Sequence, residues 1–298
     1  MPRFLRQHPP LMVFTLLMSA ITLVSLAGLV VDDRILVGSP IWFKPFKFGV
    51  SLALYGATLA WMLTFTTRLR RTAWWAGTVV AVGGTAEMVV VVGQVVRGRQ
   101  SHFNALTPLD AMLFDAMGVT IAVVWLMHAL IAVALLRSKF TDRVAGLAIR
   151  LGLLLGLVGL ALGALMSGPT DVEGIIGAHT VGLPDGGPYL PVTGWSTAGG
   201  DLRVPHFVGI HALQVIPLLT VAFGRRANPR LVWALTLSYA GLVTLVLWQA
   251  LRGQPLLRPD GATLLALLGL AAWTGVATWW ALRERPVTTG AAKEVVAA

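Results

Sequence analysis

No cysteine occurs in the 298 residues, which excludes disulfides, thiolate metal ligands and a cysteine nucleophile. Charge is scarce as well. Asp, Glu, Lys and Arg make up 12% of the chain, where a soluble domain carries about 25%. Apolar residues take up 56%, and the mean hydropathy is +0.77. That balance predicts a protein embedded in a lipid bilayer. The net charge of +10 does not point to nucleic acid. The basic residues fall in short clusters between apolar runs, as in the cytoplasmic loops of membrane proteins. The first apolar run, Leu11 to Val30, is long enough to span and is followed by no small-x-small cleavage site. It reads as a helix rather than a signal peptide.

A spanning helix needs about 20 mostly apolar residues. Eight segments meet that length, at roughly 11–30, 46–66, 73–96, 111–136, 147–166, 206–223, 231–251 and 262–282. The expected fold is therefore all-α, a polytopic membrane protein of eight transmembrane helices. With the N-terminus inside, most Lys and Arg fall in short inner connections. These carry Arg3 and Arg6; Arg68, Arg70 and Arg71; Arg137, Lys139, Arg143 and Arg150; Arg225, Arg226 and Arg230; and Arg283, Arg285 and Lys293. Both termini are then cytoplasmic, in a bacterial-type cytoplasmic (inner) membrane. The long polar interval 168–214, read as running into the sixth helix without a break, lies at the outer face.

The two halves echo each other. The third helix ends Gln94-Val-Val-Arg97-Gly98-Arg99-Gln100 and the seventh ends Gln249-Ala-Leu-Arg252-Gly253-Gln254. A Pro-Asp element opens the next helix in each case, Pro108-Leu-Asp110 and Pro259-Asp260. Lys44-Pro45-Phe46-Lys47-Phe48-Gly49 likewise matches Arg203-Val-Pro205-His206-Phe207-Val-Gly209. This predicts a duplicated four-helix unit, 1–140 and 141–285, with an extracytoplasmic loop 167–205 and a cytoplasmic tail 286–298. Its axis would run along the membrane normal. Gly152, Gly156, Gly159 and Gly163 on the fifth helix are spaced for close helix packing.

The candidate site residues are the polar groups that a bilayer tolerates poorly. Glu87, near the middle of the third helix, is a functional candidate by default. It shares a face with Gly83, Gln94 and Gly98. His102 follows Arg97 and Arg99, a cluster suited to a carboxylate, a phosphate or a haem propionate, or simply to the headgroup level. His206 opens the sixth helix, and His211 shares a face with Gln214. On a regular helix the two imidazoles stand about 140° apart, which suits one metal poorly. His179 and Asp185 lie in the Gly/Pro-rich loop. Trp195, Tyr189 and several prolines predict that this loop is an ordered cap. Asp110 reads as a helix-start residue and Asp115, one turn on, as a catalytic candidate. Lys44 and Lys47 depart from the inside bias. His128 reads as a hydrogen-bonded core residue and His8 as part of the tail.

Eight spans in two halves, inside termini and outer-face histidines make the chain resemble heme A synthase. The loop from Ser167-Gly168 through Gly182-Leu-Pro-Asp185 to the sixth helix is similar in layout. The Glu-x-x-His-Arg element and the last-helix histidine of that family have no counterpart here, so no residue role is carried over. The histidines and arginines themselves lead to the first expectation, a redox protein binding haem b near the outer face, and the resemblance also implies haem chemistry. Axial and propionate contacts would come from His102, His206, His211, Arg97, Arg99, Arg203 and Gln214, with Glu87, Gln94 and Asp115 handling protons or a quinone or lipid-like substrate. A zinc-dependent intramembrane hydrolase is the alternative enzyme, with His102, His206 or His211 and the carboxylates Asp115 and Glu87 as candidates, and His179 as a further candidate metal ligand. A third reading is a proton-coupled transporter or a lipid- or solute-binding protein. Besides the bilayer, a homo-oligomeric partner is compatible with all three.

Overall fold

The structure is a computed structural model, and it describes residues 8–168 and 170–283. The described residues form nine α-helices and four two-residue strands. The helices are α1 (Pro9–Val31), α2 (Phe43–Leu63), α3 (Arg70–Val96), α4 (Pro108–Arg137), α5 (Arg143–Leu162), α6 (Arg203–Ile210), α7 (Ala212–Ala222), α8 (Pro229–Leu251) and α9 (Gly261–Arg283). Seven, with α5 extended by a 3-10 turn to Met166, are long and apolar enough to cross a membrane. The pair α6 and α7, bent by 48°, makes an eighth only when the two are counted as one span. The protein is therefore an all-α chain built for a bilayer. Arg3, Arg6, Arg285, Lys293 and the tail 286–298 lie outside the described residues.

Local chemistry sets the helix starts. Thr107 accepts the Asp110 N–H at 3.2 Å ahead of Pro108, and Asn228 accepts the Leu231 N–H at 3.0 Å ahead of Pro229. Both are side-chain caps followed by a first-turn proline. His8 corrects its assignment to a tail. It is buried, caps α1 through the Leu11 N–H at 3.2 Å, and its Nε2 meets the Trp74 carbonyl at 2.8 Å.

Among the first four helices, α1 packs on α2, α3 on α4, and α3 also on α1 and α2. The same pairs recur later, with α5 on the α6–α7 pair, α8 on α9, and α8 also on α5 and on α6–α7. The two sets meet where α4 packs on α5. The largest core, including Leu11, Met18, Leu59, Met88, Ile131 and Leu153, fills the first set and reaches α5. Val13, Leu16, Val82, Val89, Leu265 and Leu268 point outward, as lipid-facing side chains do.

The helix expected at 206–223 is instead two, α6 and α7, parted at His211. Two constraints meet there. Pro217 has no N–H to offer the Leu213 carbonyl, and its ring crowds that carbonyl. Upstream, α6 lies so close to α5 that a Cβ on Gly159 would overlap the Gly209 backbone. The bend lets α6 keep this crossing while α7 follows its own line. The Val208 carbonyl beside it accepts from Tyr239 Oη of α8 at 2.7 Å.

The cap between α5 and α6 is ordered. Its strands β3 (Thr180–Val181) and β4 (Gly200–Asp201) pair with each other, as do β1 (Ile35–Leu36) and β2 (Ser39–Pro40) in the loop after α1. The cap docks on the first helical set: Ile176 N–H donates to the Phe103 carbonyl at 2.9 Å, and Ala105 N–H to that of Gly174 at 2.8 Å.

Candidate functional site

Between the cap and the ends of α2 and α3 lies a cavity of about 170 Å³. Lys44, Lys47, Arg99, Arg203, His102 and His179 line it, and Asp185 is the carboxylate among its lining residues. Phe43, Phe48 and Tyr189 supply aromatic walls, and Val91 and Val95 of α3 an apolar floor.

The cations reach it from equivalent places. Lys44 and Lys47 stand on the first turns of α2, and Arg203 opens α6. Neither helix has a side-chain cap, so the partial positive charge of each N-terminus adds to that of the side chains. Lys47 Nζ donates to the Thr193 carbonyl at 2.9 Å and lies over the Phe43 ring, 4.3 Å from its centroid. Arg203 is held by Asp201 at 2.6 Å and donates to the Gly194 carbonyl at 2.6 Å. Arg99 shares Asp110 with Arg97. Lys44 has an aromatic neighbour, Phe48, at 5.7 Å, and among the described residues neither hydrogen bond nor ion pair.

His179 and Asp185 form a tight unit. Asp185 accepts from His179 Nδ1 at 2.5 Å, from the His179 N–H at 3.0 Å and from Thr180 Oγ1 at 3.1 Å. Burial raises the Asp185 carboxyl, but these donors outweigh it and hold the group below the usual carboxylate range. Burial lowers the His179 imidazole, and the bond to Asp185 offsets this only in part. His102 is pushed well below the ordinary histidine value, first by burial and then by the charges of Lys44 and His179. Its Nδ1 meets Ser101 Oγ at 3.1 Å. Phe103 packs against both imidazoles from a left-handed backbone (φ 60°), and Val37 on the cavity wall has φ 49°. Such positions cost roughly 1–3 kcal/mol each and cluster at binding sites.

Of the residues named from sequence, Arg99, His102, His179 and Arg203 thus come together. Gln94 and Arg97 sit beside them in a separate knot, where Asp110 accepts from Gln94 Nε2 at 2.9 Å and from Arg97 at 2.8 Å. His206 and His211 lie elsewhere. His206 Nδ1 meets the Gly159 carbonyl at 2.8 Å, binding α6 to α5. His211, at the bend, meets Gln214 Oε1 at 3.2 Å, and Gln214 donates on to Thr58 of α2. His211 Nε2 is buried without a partner. Asp115 is on the exposed side of α4. Glu87 is buried one turn below Val91, and its Oε1 has no partner. His128 lies in the core, bonded to Tyr55 at 2.8 Å and to the Leu153 carbonyl at 3.2 Å.

Lys44, Lys47 and Asp185 belong to the cavity but were not grouped with the site from sequence. Their signal is a pair of lysines on the first turns of an apolar helix, against the charge bias expected of the loops. Among the described residues, no three His, Asp or Glu side chains gather into a metal-holding group. For haem, the imidazoles that share a cavity with arginines are His102 and His179.

Comparison with protein-family profiles, curated proteins and solved structures finds no match to this chain.

Proposed function

We propose that the protein binds an oxyanion, the phosphate of a lipid headgroup or of a soluble ester, in the cavity beneath the cap. The observation that carries this is Lys44, a cation on the cavity wall with neither hydrogen bond nor ion pair among the described residues. Around it Lys47, Arg99 and Arg203 add positive charge, and the nearby carboxylate, Asp185, is taken by His179. Lysine is a point-charge phosphate binder, and arginine adds directed donors. Aromatic walls and an apolar floor suit the organic remainder of an amphiphile. This is the solute- or lipid-binding membrane protein among the three readings, with transport as its extension.

In this reading the bent pair counts as one span, so eight spans cross a bacterial-type inner membrane with both termini inside. The chain is two four-helix halves. The recurrent helix pairing supports the duplication. So does the match of Gly49, where a Cβ would meet Thr22 on α1, with Gly209, where it would meet Gly159 on α5. The cavity then opens to the extracytoplasmic side.

The test is calorimetric titration of the purified protein in neutral detergent with inorganic sulfate, inorganic phosphate and short-chain phosphatidylglycerol, with short-chain diacylglycerol as the phosphate-free control. Saturable binding of an anionic probe, lost in the Lys44→Gln/Lys47→Gln double variant, is expected. Absence of binding by every anionic probe rejects the proposal.

A second reading keeps the heme A synthase resemblance. His102 and His179 share the cavity with Arg99 and Arg203, an imidazole and guanidinium set suited to haem b and its propionates. Haem would bring electron transfer to this face. A Soret band in protein expressed with ample haem, removed by His102→Ala, supports it, and a colourless protein rejects it. A zinc site needs three protein ligands, and no observation favours the hydrolase.

A further inference from the structure

Glu87 is buried on α3 and its Oε1 meets no donor. A carboxylate so placed is costly in the apolar interior of a bundle. It stands one helical turn below Val91, part of the cavity floor.

The charges around it are few. Helix α1 carries none. Helix α2 carries Lys44 and Lys47, with Tyr55 further in, its hydroxyl bonded to His128. On α4, Asp110 is ion-paired with two arginines, Asp115 is on the exposed side, and His128 is bonded to Tyr55 and Leu153. On α3 itself, Arg70 and Arg71 are at the far end. Just beyond its near end, Arg97 is held by Gln94 and Asp110. Among the described residues, Lys44 is the charge that acts on Glu87. Lys44 thus lines the cavity, whose floor residue Val91 stands one turn above Glu87, and its charge reaches that carboxyl.

Resting on the oxyanion reading, we infer that Glu87 is a proton-binding site linked to the cavity, so that an oxyanion on Lys44 and a proton on Glu87 bind together. With the cavity empty, the Lys44 ammonium compensates the Glu87 carboxylate. An oxyanion that pairs with Lys44 leaves two negative charges flanking one positive charge. A proton taken from solvent onto the Glu87 carboxyl removes the excess. No bond other than this O–H forms, and nothing is oxidised or reduced. The linkage is reciprocal, so acidification strengthens anion binding as anion binding strengthens proton uptake. His102 and His179 border the same anion and are the rival proton acceptors.

The experiment is calorimetric titration of the full chain in detergent at pH 7.5, with sulfate and with short-chain phosphatidylglycerol. Two buffers of different ionisation enthalpy yield the number of protons taken up. Neither probe titrates near neutrality. Wild type is expected to take up about one proton per anion, with affinity falling up to about tenfold per pH unit as pH rises. Glu87→Gln is expected to bind at least as tightly, with uptake near zero and a flat pH profile. Infrared difference spectra of the wild type, which need no variant to fold, are expected to show a protonated carboxyl band on adding the anion. The same behaviour is expected with whichever probe binds, sulfate marking a soluble anion and the lipid a headgroup. Binding without proton uptake, or uptake that persists in Glu87→Gln, overturns the coupling and leaves the oxyanion reading standing. Failure of both probes to bind overturns both.

Discussion

Lys47 Nζ donates to the Thr193 carbonyl at 2.9 Å across a sequence separation of 146 residues. One side chain thus fastens the cap to the first turns of α2 and charges the cavity beneath it. Lys44, one turn away on the same helix, has the second role without the first.

These two lysines separate by experiment. Lys44→Gln is expected to weaken oxyanion binding roughly 10- to 100-fold, the size of one charge-assisted hydrogen bond of about 1.5–3 kcal/mol. The cap should stay as protected from hydrogen exchange as in the wild type. Lys47→Gln should weaken binding and also speed exchange across residues 190–195. Equal exchange in the two variants would deny Lys47 its fastening role.

The crossing of α5 and α6 is a backbone contact. Gly159→Ala is expected to lower the unfolding free energy by about 1–3 kcal/mol, because the new methyl overlaps Gly209 and Ile210 and neither helix has a side chain to move aside. Gly118→Ala on α4 meets nothing within 4 Å. It should be neutral, or stabilising by up to about 1 kcal/mol through helix propensity. Thermal unfolding in one detergent compares them.

The two Arg–Asp knots at the helix ends differ in burial. The Asp110 side chain is 0% exposed and accepts from Gln94, Arg97, Arg99 and Thr107, whereas Asp260 is 40% exposed and holds Arg252. Asp110→Asn should cost about 2 kcal/mol, since charged hydrogen bonds are lost in a buried place. Asp260→Asn should cost clearly less, because solvent screens an exposed ion pair. Similar losses in unfolding free energy would mean that burial does not set the difference.

The pH dependence has a definite sign. His102 and His179 take up a proton less readily in the folded protein than an ordinary histidine does. Below the unfolded histidine value of about 6.5 the unfolded chain binds protons that the folded chain refuses, so stability falls with pH until the lowered folded values are reached. Asp185, depressed when folded, contributes stability that is complete above the ordinary aspartate value and is lost as pH falls through its own. The midpoint of thermal unfolding should therefore be lower at pH 5 than at pH 7.5. The gap should narrow in a His102→Gln/His179→Gln variant. A midpoint that rises on acidification would contradict both imidazole assignments.

Spanning segments were legible because a bilayer demands unbroken apolar length, and few sequences satisfy it by accident. The segment expected at 73–96 is the helix Arg70–Val96. The break at His211 was not legible. Its proline sits six positions away, and the crossing that opposes a straight path involves Gly159 on another helix. The site was half legible. Arg99, His102, His179 and Arg203 stand out as polar residues next to apolar runs, but Lys44 and Lys47 read only as exceptions to a charge bias. What joins them is the docking of the cap, a tertiary event with no local pattern. His206 shows the converse, since nothing near it in sequence reveals that its imidazole is committed to the Gly159 carbonyl.

The stitching of the cap also sets an order of assembly. A chain emerges from its N-terminus, so α1 to α4 can pack while Lys44 and Lys47 are still uncovered by the cap. The roof over them arrives only with residues 170–202. It is held from the other side by Asp201 on Arg203, and by Gly200 against the Ala250 backbone of α8. The cavity therefore cannot close until the cap is made, and a nascent chain halted before residue 170 carries Lys44 and Lys47 without an enclosure.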